Sequence, residues 1–156
     1  MSKKENKKIF KKYESVDHLS DVEIRAYGKT ITELFENAAE GMFSLITNLS
    51  KVKREIEKEI VINIKKKIEA EDLMVIWLEK LLYLFEVEGI VFSYFKILDF
   101  RNSSRQSSIS ALIAGEKINL KKHEVFLQIK APTYHNLNIL HDEKKDVYML
   151  EIIFDV

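Results

Sequence analysis

The sequence has no cysteine. That excludes disulfides, thiolate zinc sites and thiol nucleophiles, and it fits a reducing interior. There is one proline and there are only four glycines, none clustered, so no Gly-rich phosphate loop with its lysine is present. A G-x-S-x-G nucleophile elbow is missing too. These absences favour an accessory protein over a nucleotide-hydrolysing enzyme. Neither sign of charge is in excess: 25 basic and 25 acidic residues give a formal net charge of zero, which argues against a protein that coats nucleic acid. The longest apolar runs fall well short of a membrane span, and the Lys-rich N-terminus has no apolar stretch behind it. The expectation is a cytoplasmic protein without membrane contact.

What is present is an ordinary globular composition. With 156 residues, 46% hydrophobic and 32% charged, the chain is long enough for one real core and one domain. Residues 1–12 carry Lys3, Lys4, Lys7, Lys8, Lys11 and Lys12 with little to bury, and read as a flexible solubilising tail ahead of a domain over 13–156. Thr30 and Glu33 have the spacing of a capping box. Behind them Ile31, Leu34, Phe35, Ala38, Ala39, Met42, Phe43 and Ile46 mark one face of a helix over 30–47. Ile60, Ile62 and Ile64 alternate with Val61, Asn63 and Lys65, which predicts a strand with one wet face within 52–68. A second helix over 71–85 is apolar nearly all round, so it is either central to the fold or has one face on a partner.

Further strands are expected over 91–100, 109–114, 125–131 and 147–156, with a polar hairpin connection over 101–108. Pro132 marks an edge or a bend. His123, in a short turn, and His141 read as surface histidines. The element order predicts an α+β single domain: an extended β-sheet with two main helices packed on it.

Two stretches could carry chemistry. The run 16–28 starts as a polar turn holding Asp17, His18 and Asp21, then becomes a strand in which Val22, Ile24 and Ala26 alternate with Glu23 and Arg25. Asp17 and Asp21 can serve the turn alone, because Asp side chains bond nearby backbone N–H groups. His18 can be a ligand, a donor that orients Asp21, or a turn histidine bonded to backbone. At the other end, Phe154-Asp155-Val156 directly follows an apolar strand. A terminus set in a sheet would hold the Asp155 carboxylate and the Val156 α-carboxylate in place. A third anion beside them would be repelled unless a cation joined the set. Oxygen-only donors suit calcium, magnesium or manganese.

Several pieces, in order, resemble the archease family. They are Asp17-His18-x-x-Asp21-Val22-x-Ile24-Arg25-Ala26-Tyr27-Gly28, Glu71-Asp72-Leu73, and Trp77-Leu78-x-x-Leu81-Leu82-Tyr83-Leu84 with Glu88-Gly89. Lys121-Lys122-His123-Glu124, Lys130-Ala131-x-Thr133-Tyr134-His135 and Phe154-Asp155-Val156 complete the set. The resemblance covers nearly everything from Tyr13 onward. It implies the same α+β architecture and an activator of the GTP-dependent tRNA-splicing ligase, which joins tRNA exon halves through a guanylylated histidine. It also implies a divalent-metal site at Asp21, Asp155 and Val156, with His18 and Asp17 as supporting or ligating residues. Lys130, a compact cation suited to phosphate or carboxylate, would contact the ligase or a phosphate, with Thr133, Tyr134 and His135 beside it. Leu19-Ser20 stands where Thr-Ala is usual and Glu23 where Gly is usual, which brings the backbone after the turn into question.

Two other classes of function make different demands. A stand-alone metal-dependent phosphoester hydrolase would turn over substrate by itself with added manganese or magnesium. A chaperone-like module binding RNA or protein would depend on residues 1–12 and on helix 71–85, and be indifferent to Asp21.

Overall fold

The computed structural model describes residues 10–17 and 21–156, with only the backbone of Asp17. Most of the Lys-rich segment, and the residues His18, Leu19 and Ser20, therefore lie outside the described residues. The order is β1 (Tyr13–Asp17), β2 (Val22–Gly28), α1 (Ile31–Ile46), β3 (Ile56–Ile64), α2 (Ala70–Glu88), β4 (Ile90–Asn102), β5 (Ser107–Lys117), β6 (Ala131–Pro132), β7 (Ile139–Asp142) and β8 (Val147–Asp155). A single 3-10 turn, Leu49–Lys51, follows α1.

All pairing is antiparallel and divides into two sheets. One runs β1-β2-β8-β6, with β7 also pairing β8; the other runs β3-β5-β4. The expected α+β domain with two helices on antiparallel sheet is thus present, its strands shared between two sheets. Helix α1 packs on β2 of the first sheet and on β4 of the second, so it is the shared centre of the core.

The sequence features that form these elements are visible in their ends. Thr30 caps α1: its Oγ1 accepts the Glu33 N–H at 3.1 Å. Helix α2 stops at Gly89, whose φ of +66° is left-handed and whose N–H donates to the Phe85 carbonyl at 2.9 Å. Of the two readings of α2, the central one holds, since Leu73, Met74, Val75, Trp77, Leu78, Leu81, Leu82 and Leu84 are buried. Trp77 has no exposed surface, and its indole N–H donates to the Phe35 carbonyl at 2.9 Å, tying α2 to α1. Phe43 fills the space between the layers edge-on to Phe85 and Phe92, at 6.1 and 5.8 Å between ring centres.

Two expectations are corrected. Residues 125–131 alternate in hydropathy but form no strand; only Ala131–Pro132 pairs, with β8. The Phe126 N–H goes instead to the Ile46 carbonyl at the end of α1, at 2.8 Å, while Val125 and Phe126 stay exposed. With no neighbouring strand along its length, the segment runs as an extended strap across the C-terminal end of α1. Thr47 fixes it further by donating its hydroxyl to the Glu124 carbonyl at 2.6 Å.

The second correction is His123, which is 1% exposed and not a surface residue. The Asn119 N–H donates to its Nδ1 at 3.0 Å, so Nε2 carries the proton and donates to the Glu116 carboxylate at 2.8 Å. Lys122 Nζ donates to the same carboxylate oxygen at 2.5 Å. Burial opposes the charged form of Glu116. Hydrogen bonds from Lys122, the Lys53 backbone and His123 outweigh that and hold its pKa down to about 2. His141 lies at the surface as expected, stacked on Tyr148 at 4.3 Å and bonded to Asp146.

Candidate metal centre

Strands β2 and β8 pair without interruption from Val22↔Phe154 to Gly28↔Tyr148. Alternation sets their two faces. Val22, Ile24 and Ala26 oppose Phe154, Ile152 and Leu150, and this row faces the core. The intervening row lies on the outer face, although Glu23 on it is only 5% exposed, and it begins one step beyond the ladder, where the same register, continued, puts Asp21 across from Asp155. Both residues are exposed. Glu23, the departure from the family pattern, pairs regularly with Val16 and Ile153, so it introduces no bulge into β2.

A third segment closes on the same end. Ala131 pairs with Asp155 and Pro132 with Phe154 on the other side of β8, so Lys130 falls beside Val156. The Lys130 N–H donates to the Asp155 carbonyl at 2.8 Å, and Thr133 gives both its N–H and its hydroxyl to the Ile153 carbonyl, each at 2.9 Å. Residues 130–133 are therefore pinned to the last residues of β8. The structure brings Asp21, Asp155, Val156, Lys130 and Thr133 to one end of the first sheet. The Asp17 backbone arrives there too, paired with Val22.

Two of the expected residues stand apart. Tyr134 is exposed and turned toward α2; partial burial, then Asp72 and Glu79, raise its phenol pKa. His135 is exposed in the following turn, with only its N–H directed at the Thr133 hydroxyl, at 3.4 Å. His18 lies outside the described residues.

Below the tip, the outward row carries an ion-pair ladder. Arg25 Nε and Nη2 donate to one Glu151 oxygen at 2.8 and 2.5 Å, and Nη1 reaches Glu14 at 3.2 Å. Hydrogen bonding to Glu151 pushes the guanidinium pKa up. Glu14 is held below the usual carboxylate range, first by Lys11 and then by the Tyr27 hydroxyl at 2.8 Å. This cross-linking locks β1, β2 and β8 in register two steps from the acidic pair. Sequence reading missed it, as well as the role of Glu71, which accepts the Ile139 N–H at 3.1 Å and anchors β7 to the first turn of α2. The alternation of Glu14, Arg25 and Glu151 with apolar neighbours was the only available signal.

The donors at the tip are hard oxygens, which suits calcium or magnesium. Among the described residues no three His, Cys, Asp or Glu side chains gather to hold a metal.

An antiparallel two-sheet domain with two helices packed on it, and with Asp21 and Asp155 at one end of its first sheet, defines the class. The family model described as the archease protein family matches residues 13–156. The protein archease of Methanosarcina mazei is 42% identical over 129 residues, covering 83% of this chain and 86% of that one. The Methanosarcina barkeri archease is 40% identical over 146 residues, covering 94% and 97%. The solution structure of Methanobacterium thermoautotrophicum protein 1598 superposes with a TM-score of 0.78 at 30% identity, covering 93% of this chain and 99% of its own. The chain belongs to the archease family.

Proposed function

We propose that this archease is an accessory activator of the GTP-dependent tRNA-splicing ligase, promoting guanylylation of the ligase's active-site histidine and repeated rounds of joining of tRNA exon halves. The observation that carries the reading is the register that puts Asp21 across from Asp155, with Lys130 tied to the Asp155 backbone. Asp21, Asp155 and the Val156 carboxylate would hold a calcium, magnesium or manganese ion. A divalent ion beside nucleotide phosphates supplies charge stabilisation for nucleotidyl transfer. Asp21 and Asp155 would hold that ion at the end of the β2–β8 ladder, and Lys130 would offer its ammonium to a phosphate oxygen or to an acidic group of the ligase. Thr133 fixes the Lys130 backbone against β8.

The test measures transfer of GMP to the ligase and multiple-turnover RNA joining with the wild-type protein, Asp21→Ala, and a form extended by several residues past Val156. Wild type is expected to stimulate both steps and Asp21→Ala neither, with matched melting curves. Loss in the extended form assigns the terminal carboxylate to the working site. Full stimulation by folded Asp21→Ala overturns the mechanism, and no stimulation by wild type of its cognate ligase overturns the activator reading.

A further inference from the structure

Sheet edges offer unpaired backbone N–H and C=O groups, and proteins usually blunt them. In the β3-β5-β4 sheet the two edges are treated differently. Edge strand β4 is interrupted by register shifts between Phe92 and Tyr94 and between Ile97 and Asp99, and the Glu36 carboxylate takes its Ile97 N–H at 2.7 Å. Edge strand β3 has neither device. All nine of its residues pair with β5 in unbroken register, which leaves its other side regular and open over the full length.

The side chains along that edge are ordered by charge. Glu55, Glu57 and Glu59 precede an apolar centre, and Lys65, Lys66 and Lys67 follow it; all six are exposed. None of these six makes an ion pair or a side-chain hydrogen bond among the described residues. At the midpoint Val61 is 64% exposed, although β-branched and apolar. Lys58 lies on the other row, paired with Glu88, so the row of Glu57, Glu59 and Val61 is acidic before its centre and basic just after the strand ends, complementary to an antiparallel copy of itself.

We infer that β3 is a homodimerisation edge, pairing antiparallel with β3 of a second copy about a two-fold axis at Val61. If both copies keep their helices on one side of the joined sheet, the axis is perpendicular to it. Residues of like face must then oppose one another. Centred on Val61, this register sets Glu59 against Asn63 of the second copy and Glu57 against Lys65, the first residue past β3. Val61 meets its own counterpart on the outer face, and Ile60 meets Ile62 on the buried face. The result is a continuous six-stranded sheet in which the open edge is consumed.

Helix α2 supports the seam from the inner side. Lys58 of β3 forms an ion pair with Glu88 of α2 at 2.6 Å, so the helix column Lys80, Leu84 and Glu88 lies along this edge. An open cleft of about 430 Å³ lies between them, lined by Lys58, Glu59, Ile60, Val61, Lys80 and Leu84. In the paired arrangement the cleft lies beside the joined strands. The edge belongs to the opposite sheet from the acidic tip, so dimerisation leaves Asp21 and Asp155 uncovered.

Sedimentation velocity across a concentration series tests this with Glu57→Lys and Lys65→Glu. Neither substitution touches the acidic tip. Each places two like-charged pairs in a homodimer, and each is expected to weaken self-association by about tenfold or more. An equimolar mixture of the two is expected to recover wild-type association. In the mixed dimer the lysine introduced into one copy meets the glutamate introduced into the other, while the native Lys65 meets the native Glu57. A wild-type protein monomeric up to about 1 mM overturns the proposal. So does a dimer unaffected by either substitution, or a mixture that fails to recover.

Discussion

Continued one step past Val22↔Phe154, the β2–β8 register sets Asp21 across from Asp155 at the exposed end of an otherwise apolar and ion-paired pair of strands. Like charges so placed oppose the fold they sit on, at a cost of roughly 0.2–1 kcal/mol. Removing one charge while keeping the shape should therefore stabilise the metal-free protein. Asp21→Asn is expected to melt slightly higher than wild type in the presence of a chelator. With calcium, magnesium or manganese added, the order should reverse, because only wild type gains stability by binding. Paired thermal melts with and without the ion read both effects. An Asn variant that melts lower in chelator and rises equally with metal would remove the acidic pair from any cation site.

The buried Glu116 carboxylate gives a pH signature separate from the tip. Its pKa is depressed to about 2, so its charged form is favoured by the folded state. A depressed carboxylate contributes stability above its unfolded value and loses that contribution as pH falls through its folded value. The gap in stability between wild type and Glu116→Gln should therefore be constant above about pH 5 and shrink toward pH 2. Urea unfolding at a series of pH values measures it. A gap that widens on acidification would mean that Lys122 and His123 do not stabilise the ionised carboxylate.

What the residues revealed in advance depended on how local each signal was. Helix α1 was legible because its cap and its apolar stripe sit within one stretch, and Thr30 does accept the Glu33 N–H. The strap over 125–131 misled because period-two hydropathy signals alternating burial, not a partner strand, and its Phe126 N–H finds a helix carbonyl instead. His123 misled for a similar reason. Its neighbours are lysines and glutamate, the composition of a solvated turn, yet the Asn119 N–H and Glu116 take both ring nitrogens inside the fold. The acidic tip was assembled only by resemblance. Asp21 and Asp155 come from opposite ends of the chain, and nothing in either stretch states that β2 and β8 are neighbours. The same holds for Lys130, whose position depends on the two-residue pairing of β6 with β8.

Gly115 tests how tightly the second sheet is built. A Cβ at this position would lie 1.8 Å from the Val91 carbonyl oxygen, 2.7 Å from the Val91 carbonyl carbon and 2.8 Å from the Phe92 Cα. All three are backbone atoms, next to the register shift after Phe92, so no side chain can turn aside to make room. Gly115→Ala must push β4 away from β5, at an expected cost of about 3 kcal/mol, the upper range for overpacking. In a domain of this size that corresponds to a fall in Tm of roughly 10 °C. Gly41 supplies the contrast, since its Cβ would meet the Ile24 Cδ1 at 2.8 Å and the Tyr13 ring carbon at 3.2 Å, both side-chain atoms. Those groups can shift, and alanine in mid-helix returns up to about 1 kcal/mol over glycine. Gly41→Ala is therefore expected to lose far less than Gly115→Ala in the same melts. Equal losses would show that the β4–β5 backbone approach is no tighter a constraint than ordinary helix packing.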